Sequence, residues 1–558
     1  MRHSPDKPQS LHASPAEALR ASAEEGPSSV DEQSRRSRFS RRGFLVRAGA
    51  GAGAVALGGG IGGAVAGPVA AAPARSRFVV TDPQHFGRIF PGLPPFAPAS
   101  NGVKKSLLRL GARGGPLDAR DPLGAGPVRL LTDPSLSANN PDNPTHTAGT
   151  HFFGQFVDHD ITFDTSSKLG VETDPLTTRN GRTPTLDLDS VYGGGPAGSP
   201  ALYDVPGDPA KLLIGSGGIF EDLPRLPDGT AIVADPRNDE HTMLAGIHCA
   251  VILFHNRLVD EARKAGAAIW QDAFRQARRL TTWHYQWLLV NEFLPLFVGR
   301  ATVDDVLANG RRFYTVGSGE AFMPVEFGAA CYRFGHSMVR PSYRANLAGD
   351  KGNPFVGFIF DPGQNSATAD PSDLRGGFRA PRRFIGWETF FDFGDGEVKR
   401  NKRIDTHIST PLFTLPLGAI ASHDQPTVLA QRNLLRQVTW SLPSGQAVAA
   451  AMGVAPIDKK DLRELKPHGF DTSTPLWYYT LKEAELLADG LHLGPVAGRI
   501  VAEVLIGLLQ ADPGSYLAAA PGWQPTVQSP GAGFRTTDFL TYARVDPASR
   551  HARQPAYA

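Results

Sequence analysis

Hydrophobic positions recur every three or four residues in four long stretches of the chain, and this spacing predicts amphipathic helices. The four stretches are 240–265, 270–293, 476–488 and 495–509. Between them lie segments rich in Pro, Gly and Asp, such as 90–142 and 378–414, which we expect to cover the helical core as ordered coil. From about residue 75 onward the sequence has no internal repeat, no second linker and no series of hairpin turns. The pattern therefore predicts a mainly α fold with long ordered loops. It forms one large domain, 75–558.

The composition agrees with a soluble globular protein, because 41% of the 558 residues are hydrophobic and 20% are charged. The 57 basic and 55 acidic residues give a net charge of only +2, so no global field attracts nucleic acid or an anionic membrane. Two cysteines, Cys249 and Cys331, cannot form a framework of several bridges. A single disulfide and two buried thiols both remain open.

The first 74 residues differ from the rest of the chain. Residues 1–39 are polar and charged, which predicts a disordered extension. Residues 40–74 contain Arg41 and Arg42, a Gly/Ala-rich apolar run and small residues at its end, and they resemble a twin-arginine signal peptide. We therefore expect export by the twin-arginine machinery, in the folded state, to a secreted or extracytoplasmic location with only transient membrane contact. A membrane anchor is the alternative, although so Gly-rich a run partitions poorly into hydrocarbon.

The most informative stretch for chemistry is 154–160, Gly-Gln-Phe-Val-Asp-His-Asp. On a helix, Gln155 and His159 lie one turn apart on the same face, while Asp158 and Asp160 point elsewhere. A lone histidine between aspartates is more often a core or solvated residue. Here the flanking residues are mostly aromatic or aliphatic, and an apolar helix that buries several polar groups needs partners for them. The stretch is therefore a candidate site.

Residues 183–189, Thr-Pro-Thr-Leu-Asp-Leu-Asp, place oxygen-bearing side chains at every second position. This alternation also describes a half-exposed strand. Calcium is the better explanation, because it takes six to eight oxygen ligands. The expected ligands are Asp160, Thr183, Thr185 through its carbonyl, Asp187 and Asp189. Such an ion would fix the helix that carries His159, in a structural rather than catalytic role.

Three later segments carry further candidates, each of which has an ordinary structural explanation when taken alone. Arg237 and Glu240 stand at the start of the first long helix, where acidic residues are common. His336 lies in the segment 332–341, and Asn433 and Arg436 follow on a predicted helix.

Three histidines of the first long helix, His241, His248 and His255, recur every seven residues. Seven residues rise about 10 Å, too far for direct ligation of one ion. We therefore expect core and surface roles for these histidines.

Taken in order, these motifs resemble the animal-type haem peroxidases of the peroxidase–cyclooxygenase superfamily, over roughly residues 86–517. With its twin-arginine signal the chain looks like a bacterial member. The resemblance implies a distal acid–base at His159, beside Gln155 and Arg237, and an iron ligand at His336. It implies that Asn433 accepts a hydrogen bond from the other ring nitrogen of His336, and that Arg333 and Arg436 pair with the haem propionates. It also implies calcium binding by the 183–189 loop together with Asp160.

The resemblance implies haem b as the cofactor and two haem esters, through Asp158 and Glu240. Family members with a third link use a methionine after that glutamate, whereas this chain has His241, so we expect at most two links. The expected enzyme is a haem peroxidase that reduces hydrogen peroxide. It would oxidise phenolic donors or halides through a ferryl intermediate, in the response to oxidative stress.

Two alternatives stay open. One is a haem-dependent fatty-acid dioxygenase, and the other is a catalytically idle matrix or adhesion module of the same fold. Related dioxygenases carry a tyrosine three residues before the proximal histidine, where this chain has Arg333, with Tyr332 one position earlier. Arginine cannot form the required radical, so the residue favours a peroxidase. The presence of His159, Arg237 and His336 argues against the idle module.

Overall fold

The four predicted helices form the core of the structure, a computed structural model that describes residues 84–316, 321–364, 370–377 and 381–553. They are α6 (Thr242–Lys264), α7 (Trp270–Leu288), α14 (Leu476–Leu487) and α15 (Pro495–Ala511). A π-helical turn, Leu289–Phe293, continues α7. The predicted end of this helix at residue 293 is therefore the end of the π-helical turn, not of the α-helix. The mainly α class and the single helical domain are confirmed.

The remaining helices are shorter and connect or cover the core. They are α1 (Asn101–Leu110), α2 (Gly126–Thr132), α3 (Ala148–Ile161), α4 (Asp189–Tyr192), α5 (Gly195–Gly198), α8 (Leu294–Val298), α9 (Arg300–Asn309), α10 (Val325–Gly328), α11 (Gly335–Met338), α12 (Leu429–Thr439), α13 (Gly445–Met452), α16 (Tyr516–Ala519), α17 (Thr536–Tyr542) and α18 (Pro547–Arg553). Helices α1 and α2 lie within 90–142, so the expectation of coil throughout that segment is wrong. Ser100 caps α1 through its side chain, a local signal that the coil prediction overlooked.

Strands occur in four two-stranded sheets within the described ranges. They are β1 (Phe86–Gly87) with β5 (Met323–Pro324), β2 (Asp142–Thr147) with β8 (Arg400–Lys402), β3 (Gly215–Ser216) with β4 (Glu221–Asp222), and β6 (Ser342–Asp350) with β7 (Asn353–Phe358). The β6–β7 pair is a hairpin in the register Ser342–Phe358 to Asp350–Asn353, which sequence patterning did not predict. β2 leads directly into α3, and its pairing with β8 anchors the start of that helix.

Helix α3 is almost wholly buried, which its sequence permits through two glycines. A Cβ atom at Gly149 would lie 2.5 Å from the Phe391 ring, and one at Gly154 would lie 2.7 Å from the Phe293 ring. The missing side chains therefore let two aromatic rings pack directly on the helix backbone. α3 contacts α6, β8 and α11, so the polar residues on α3 face the interior.

Helix α6 is, among the described residues, the one helix long and apolar enough for a membrane span. Most of its apolar stretch is buried within the fold, as expected of the central helix of a globular core. The predicted extension 1–39 and signal 40–74 lie outside the described residues. Those two boundaries and the domain start at residue 75 stay predictions.

Candidate active site

A cavity of about 1000 Å³, including its opening, lies beside the face of α3 that carries Gln155, Asp158 and His159. The other predicted residues that line it are Arg237, Glu240, Arg333, His336 and Arg436. The sequence spans almost 300 positions between the first and last of these residues. Folding thus brings eight of the nine predicted haem-site residues to one cavity, and Asn433 lies directly behind it against His336.

His159 is held by an amide. Its Nδ1 lies 3.0 Å from Oδ1 of Asn238, and the Asn238 amide nitrogen donates in turn to Nδ1 of His248 at 3.1 Å. An amide oxygen can only accept, so Nδ1 of His159 carries the proton and Nε2 keeps its lone pair. Burial lowers the pKa of His159 to about 3, which keeps the ring neutral at physiological pH. The ring is therefore prepared to accept a proton through Nε2.

Arg237 lies on the turn Pro236–Asp239 that precedes α6, not on the helix itself. Its guanidinium pairs with the buried carboxylate of Asp235 at 2.7 Å, donates to the His159 carbonyl oxygen at 3.2 Å and stacks 4.3 Å from the centre of the Phe163 ring. Although burial opposes ionisation of Asp235, Arg237 outweighs that effect and holds the pKa of Asp235 well below its usual range. Arg237 is thus a fixed positive charge beside His159.

Two carboxyl groups line the same cavity. Burial raises the pKa of Asp158, and burial raises the pKa of Glu240 to about 8 against the opposing effect of Arg237. Glu240 accepts a hydrogen bond of 3.1 Å from Nε2 of Gln155. Oε1 of Gln155 lies 3.0 Å from Nε2 of His241. Both residues predicted to form haem esters are therefore present at the cavity wall.

His336 lies on the four-residue helix α11, and Asn433 reaches it from α12. The Asn433 amide nitrogen lies 2.8 Å from Nδ1 of His336, and Nε2 makes no hydrogen bond within the described ranges. A half turn of the Asn433 side chain exchanges its amide nitrogen and oxygen, and in the turned form the oxygen accepts from Nδ1 and leaves the lone pair on Nε2. Burial lowers the pKa of His336 to about 3. A neutral imidazole with one nitrogen free and the other fixed is the form in which histidine binds iron. These residues therefore fit the predicted haem.

The two predicted propionate partners differ in their contacts. Arg333 donates to the Gly328 carbonyl oxygen at 2.9 Å, and burial lowers its pKa to about 10. Arg436 pairs with Asp164 at 2.7 Å. Both guanidinium groups line the cavity, so both remain placed to contact a carboxylate inside it.

A smaller space of about 520 Å³ shares Gln155, Asp158, Arg333 and His336 with the first cavity. It also reaches His151, one helical turn before Gln155, whose two ring nitrogens are buried and make no hydrogen bond of normal geometry. The shared walls show that the two spaces are neighbouring parts of one site. Sequence reasoning did not single out His151.

The predicted calcium loop does bring its carboxylates together. Ligand atoms of Asp160, Asp187 and Asp189 lie within 4.8 Å of one another. Oγ1 of Thr185 and Oδ1 of Asp187 are buried without a hydrogen bond of normal geometry, and burial together with the neighbouring aspartates raises the pKa of Asp160 far above its usual value. Three carboxylates and an unpaired hydroxyl form the hard oxygen set that calcium prefers.

The segment 183–188 is not a strand, which excludes the alternative interpretation of its alternating pattern. The backbone N–H of Thr183 donates to Asp189 at 3.2 Å, so Thr183 contributes to the shape of the loop.

Sequence reasoning missed Asn238, His241 and His248. The seven-residue spacing of the three histidines predicts core and surface roles. The surface role is wrong, because all three histidines are buried and hydrogen bonded. His241 and His248 contact Gln155 and Phe156 of α3, whereas His255 bonds to Tyr192 and to the Ala210 carbonyl oxygen. Cys249 and Cys331 are buried free thiols.

Fold and site together define a mainly α protein with two fixed neutral histidines at one cavity. A model of the animal haem peroxidase family matches residues 164–356, about a third of the chain, a span that includes Arg237, Glu240, Arg333 and His336. Over this span the chain is similar to the animal haem peroxidase family. The span begins after His159 and ends before Asn433, so those two assignments rest on the structure and the motifs.

Two curated relatives match over short segments. Heme peroxidase 2 of Caenorhabditis elegans is 32% identical over 112 residues, 19% of this chain and 16% of the relative. Chorion peroxidase of Aedes aegypti is 33% identical over 116 residues, 20% of this chain and 15% of the relative. The chain thus spans about a sixth of the length of the curated relatives it matches.

Among solved structures, peroxidase A from Dictyostelium discoideum has a TM-score of 0.49 and 16% identity, covering 76% of this chain and 88% of that one. The fatty acid alpha-dioxygenase of Oryza sativa has a TM-score of 0.49 and 13% identity, covering 77% and 79% respectively.

Proposed function

We propose that this protein is a haem peroxidase that reduces hydrogen peroxide and oxidises phenolic donors or halides. The observation that carries the proposal is that His159 and His336, 177 positions apart in the sequence, line one cavity as neutral rings, each with Nδ1 engaged by an asparagine. A structural core has no need of two such histidines beside an arginine and two half-buried carboxyl groups.

When bound, the haem supplies an iron that exchanges electrons with peroxide. His336 would hold that iron through Nε2, while Asn433 fixes the orientation of the ring. Asp158 and Glu240 are the carboxyl groups available for ester links, and Arg333 and Arg436 are available for the propionates. The ester links stay a prediction.

The distal residues divide the acid–base work between them. Nε2 of His159 accepts a proton from one peroxide oxygen and returns it to the other, which leaves as water. Arg237, kept charged by Asp235, stabilises the negative charge that develops while the bond between the oxygens breaks. Gln155 contributes an amide to the same space.

The contacts of Tyr332 favour the peroxidase over the fatty-acid dioxygenase. Its hydroxyl donates to the Gly154 carbonyl oxygen at 3.1 Å, and its ring stacks on Phe327 at 4.6 Å. Burial raises the pKa of Tyr332 far above its usual value. A tyrosine must lose its hydroxyl proton when it is oxidised to the neutral radical, and a peptide oxygen is a poor acceptor for that proton, so this contact opposes radical formation.

Two further proposals accompany the enzyme. Calcium would bind Asp160, Asp187 and Asp189 and hold the C-terminal end of α3. The twin-arginine motif at Arg41 and Arg42 supports export of the folded protein to a secreted or extracytoplasmic location.

Haem titration of the purified chain tests the proposal. The wild-type protein and a His284→Ala control, which loses a buried histidine that does not line either cavity, should both give a sharp Soret band at one equivalent of haem. His336→Ala should lose this spectrum, and added imidazole should restore it by replacing the missing ligand. An unchanged Soret band in His336→Ala would remove His336 from the proposed role, and a wild-type chain that binds no haem would refute the function itself.

A further inference from the structure

The side chain of His241 links the start of α6 to Gln155. His241 is the N-cap residue of α6, and its Nδ1 accepts the backbone N–H of Leu244 at 3.4 Å. Its Nε2 lies 3.0 Å from Oε1 of Gln155. The ring is buried and packs edge-on against Phe152 at 5.1 Å. Burial also lowers the pKa of His241 to about 3, so the ring is neutral.

The N-cap contact determines the tautomer of this ring. A neutral imidazole has one N–H and one lone pair, and Nδ1 must supply the lone pair to Leu244. Nε2 therefore carries the hydrogen and can only donate. Gln155 must then turn its oxygen toward His241, because its amide nitrogen would meet a second donor there. This leaves the Gln155 nitrogen facing Glu240, as the 3.1 Å contact shows.

On the basis of the proposed peroxidase function, we propose that His241 is a positioning residue which makes Gln155 present an N–H donor, not its oxygen, to the distal cavity. The amide nitrogen has two hydrogens, of which Glu240 receives one. The second belongs to a half-buried side chain that lines both spaces of the site. Together with Arg237, it favours ligands that accept hydrogen bonds, such as a peroxide oxygen or a small anion.

A matched pair of substitutions separates this role from helix capping. His241→Asn keeps a capping oxygen but is too short to donate to Gln155, whereas His241→Gln keeps a donor at the position of Nε2 and weakens the cap. Fluoride binding to the ferric haem protein, never exposed to peroxide, reports on distal donors. At pH 6, His241→Asn should bind fluoride about tenfold more weakly than wild type, and His241→Gln should bind within about twofold.

If His241→Asn weakens fluoride binding by letting the Gln155 amide turn over, the loss of affinity should depend on pH. Glu240 faces Arg237, Asp235 and Asp158, and its pKa of about 8 leaves it protonated at pH 6. Without the His241 donor, a protonated Glu240 can donate to the Gln155 oxygen and stabilise the reversed amide. Above pH 8 Glu240 is a carboxylate that can only accept, so the Gln155 amide nitrogen again donates to it. The ratio of wild-type to His241→Asn affinity should therefore shrink toward one at pH 9.

The same contact is measurable without haem. In a double-mutant cycle on unfolding of the apo-protein, His241→Asn and Gln155→Ala should show about a fivefold coupling in the unfolding constant, the value of one hydrogen bond. Absence of coupling would overturn the inference, and so would equal fluoride affinities in wild type and His241→Asn, or equal losses in both His241 variants. A chain that binds no haem but shows the coupling would contradict the peroxidase function and leave the His241 contact standing.

Discussion

At the scale of single residues, asparagine side chains engage the histidine nitrogens that face away from the cavity. Asn238 engages Nδ1 of His159, and Asn433 engages Nδ1 of His336. Both rings are neutral because burial lowers the pKa of each to about 3. The chemistry at each Nε2 thus depends on an amide behind the ring, which neither carries charge nor touches the reacting atoms.

Asn238→Ala should slow the reaction of the haem-loaded protein with hydrogen peroxide by about 10- to 100-fold, the usual cost of removing such a supporting contact. The reason is that Nδ1 of His159 loses its acceptor and the ring loses its fixed tautomer. Stopped-flow spectroscopy measures this rate. Asn238→Asp, which keeps an acceptor oxygen for Nδ1, should recover a large part of it, whereas wild-type kinetics in Asn238→Ala would show that the contact is irrelevant.

The residues that the sequence could predict are those with a local pattern. Gln155, Asp158 and His159 occupy one helix at readable spacing, and Arg237 and Glu240 flank a helix start. Asn238 and His248 could not be assigned in this way, because their role depends on α6 packing against α3. A buried tertiary contact leaves no periodic signal in the chain.

At the scale of elements, α3 is the part on which the site depends most. β2 holds its start through pairing with β8, and the 183–189 loop meets its end, where Leu188 N–H donates to Asp160 at 3.1 Å. Asp160 directly follows His159, so a disordered 183–189 loop would also leave the position of His159 less well defined. Three adjacent carboxylates repel one another unless a cation or protons compensate them.

Calcium should therefore stabilise the protein. At a calcium concentration 100 times Kd, binding adds about 2.7 kcal/mol to the free energy of unfolding, so Tm should rise by several degrees over the chelator-treated protein. Asp187→Asn should abolish most of this rise, and Asp304→Asn, a change to an exposed helix residue distant in sequence from the loop, should retain it. Equal Tm values with calcium and with chelator would mean that the cluster binds no calcium.

The long helices were predictable as elements, since α6, α7, α14 and α15 begin and end within about five residues of the expected bounds. Helix α11 was not separable from its surroundings by pattern, because it has only four residues and follows a 3₁₀ turn, Cys331–Phe334. The β6–β7 hairpin was also missed, although it begins four residues after α11 ends. Short elements fixed by tertiary contacts carry too few positions for a periodic pattern.

At the scale of the whole molecule, the helical core brings two distant parts of the chain to one cavity. The segment 155–159 reaches it on α3, and the segment 333–336 reaches it on α11 and the turn before it. Arg237 joins them from the turn before α6, and Asn433 contacts His336 from α12, behind the cavity. The fold thus places the proposed acid–base His159, the positive charge of Arg237 and the proposed iron ligand His336 at one cavity, as the proposed cleavage of a peroxide requires.

The most direct test of this account is the rate at which the haem-loaded chain reacts with hydrogen peroxide, measured by stopped flow in wild type, His159→Ala and the His284→Ala control. The account predicts a fast reaction in wild type and control, followed by oxidation of a phenolic dye. It predicts a reaction slower by about 10²- to 10⁴-fold in His159→Ala, which still binds haem through His336 but lacks the acid–base. A His159→Ala protein that reacts with peroxide as fast as wild type would contradict the account.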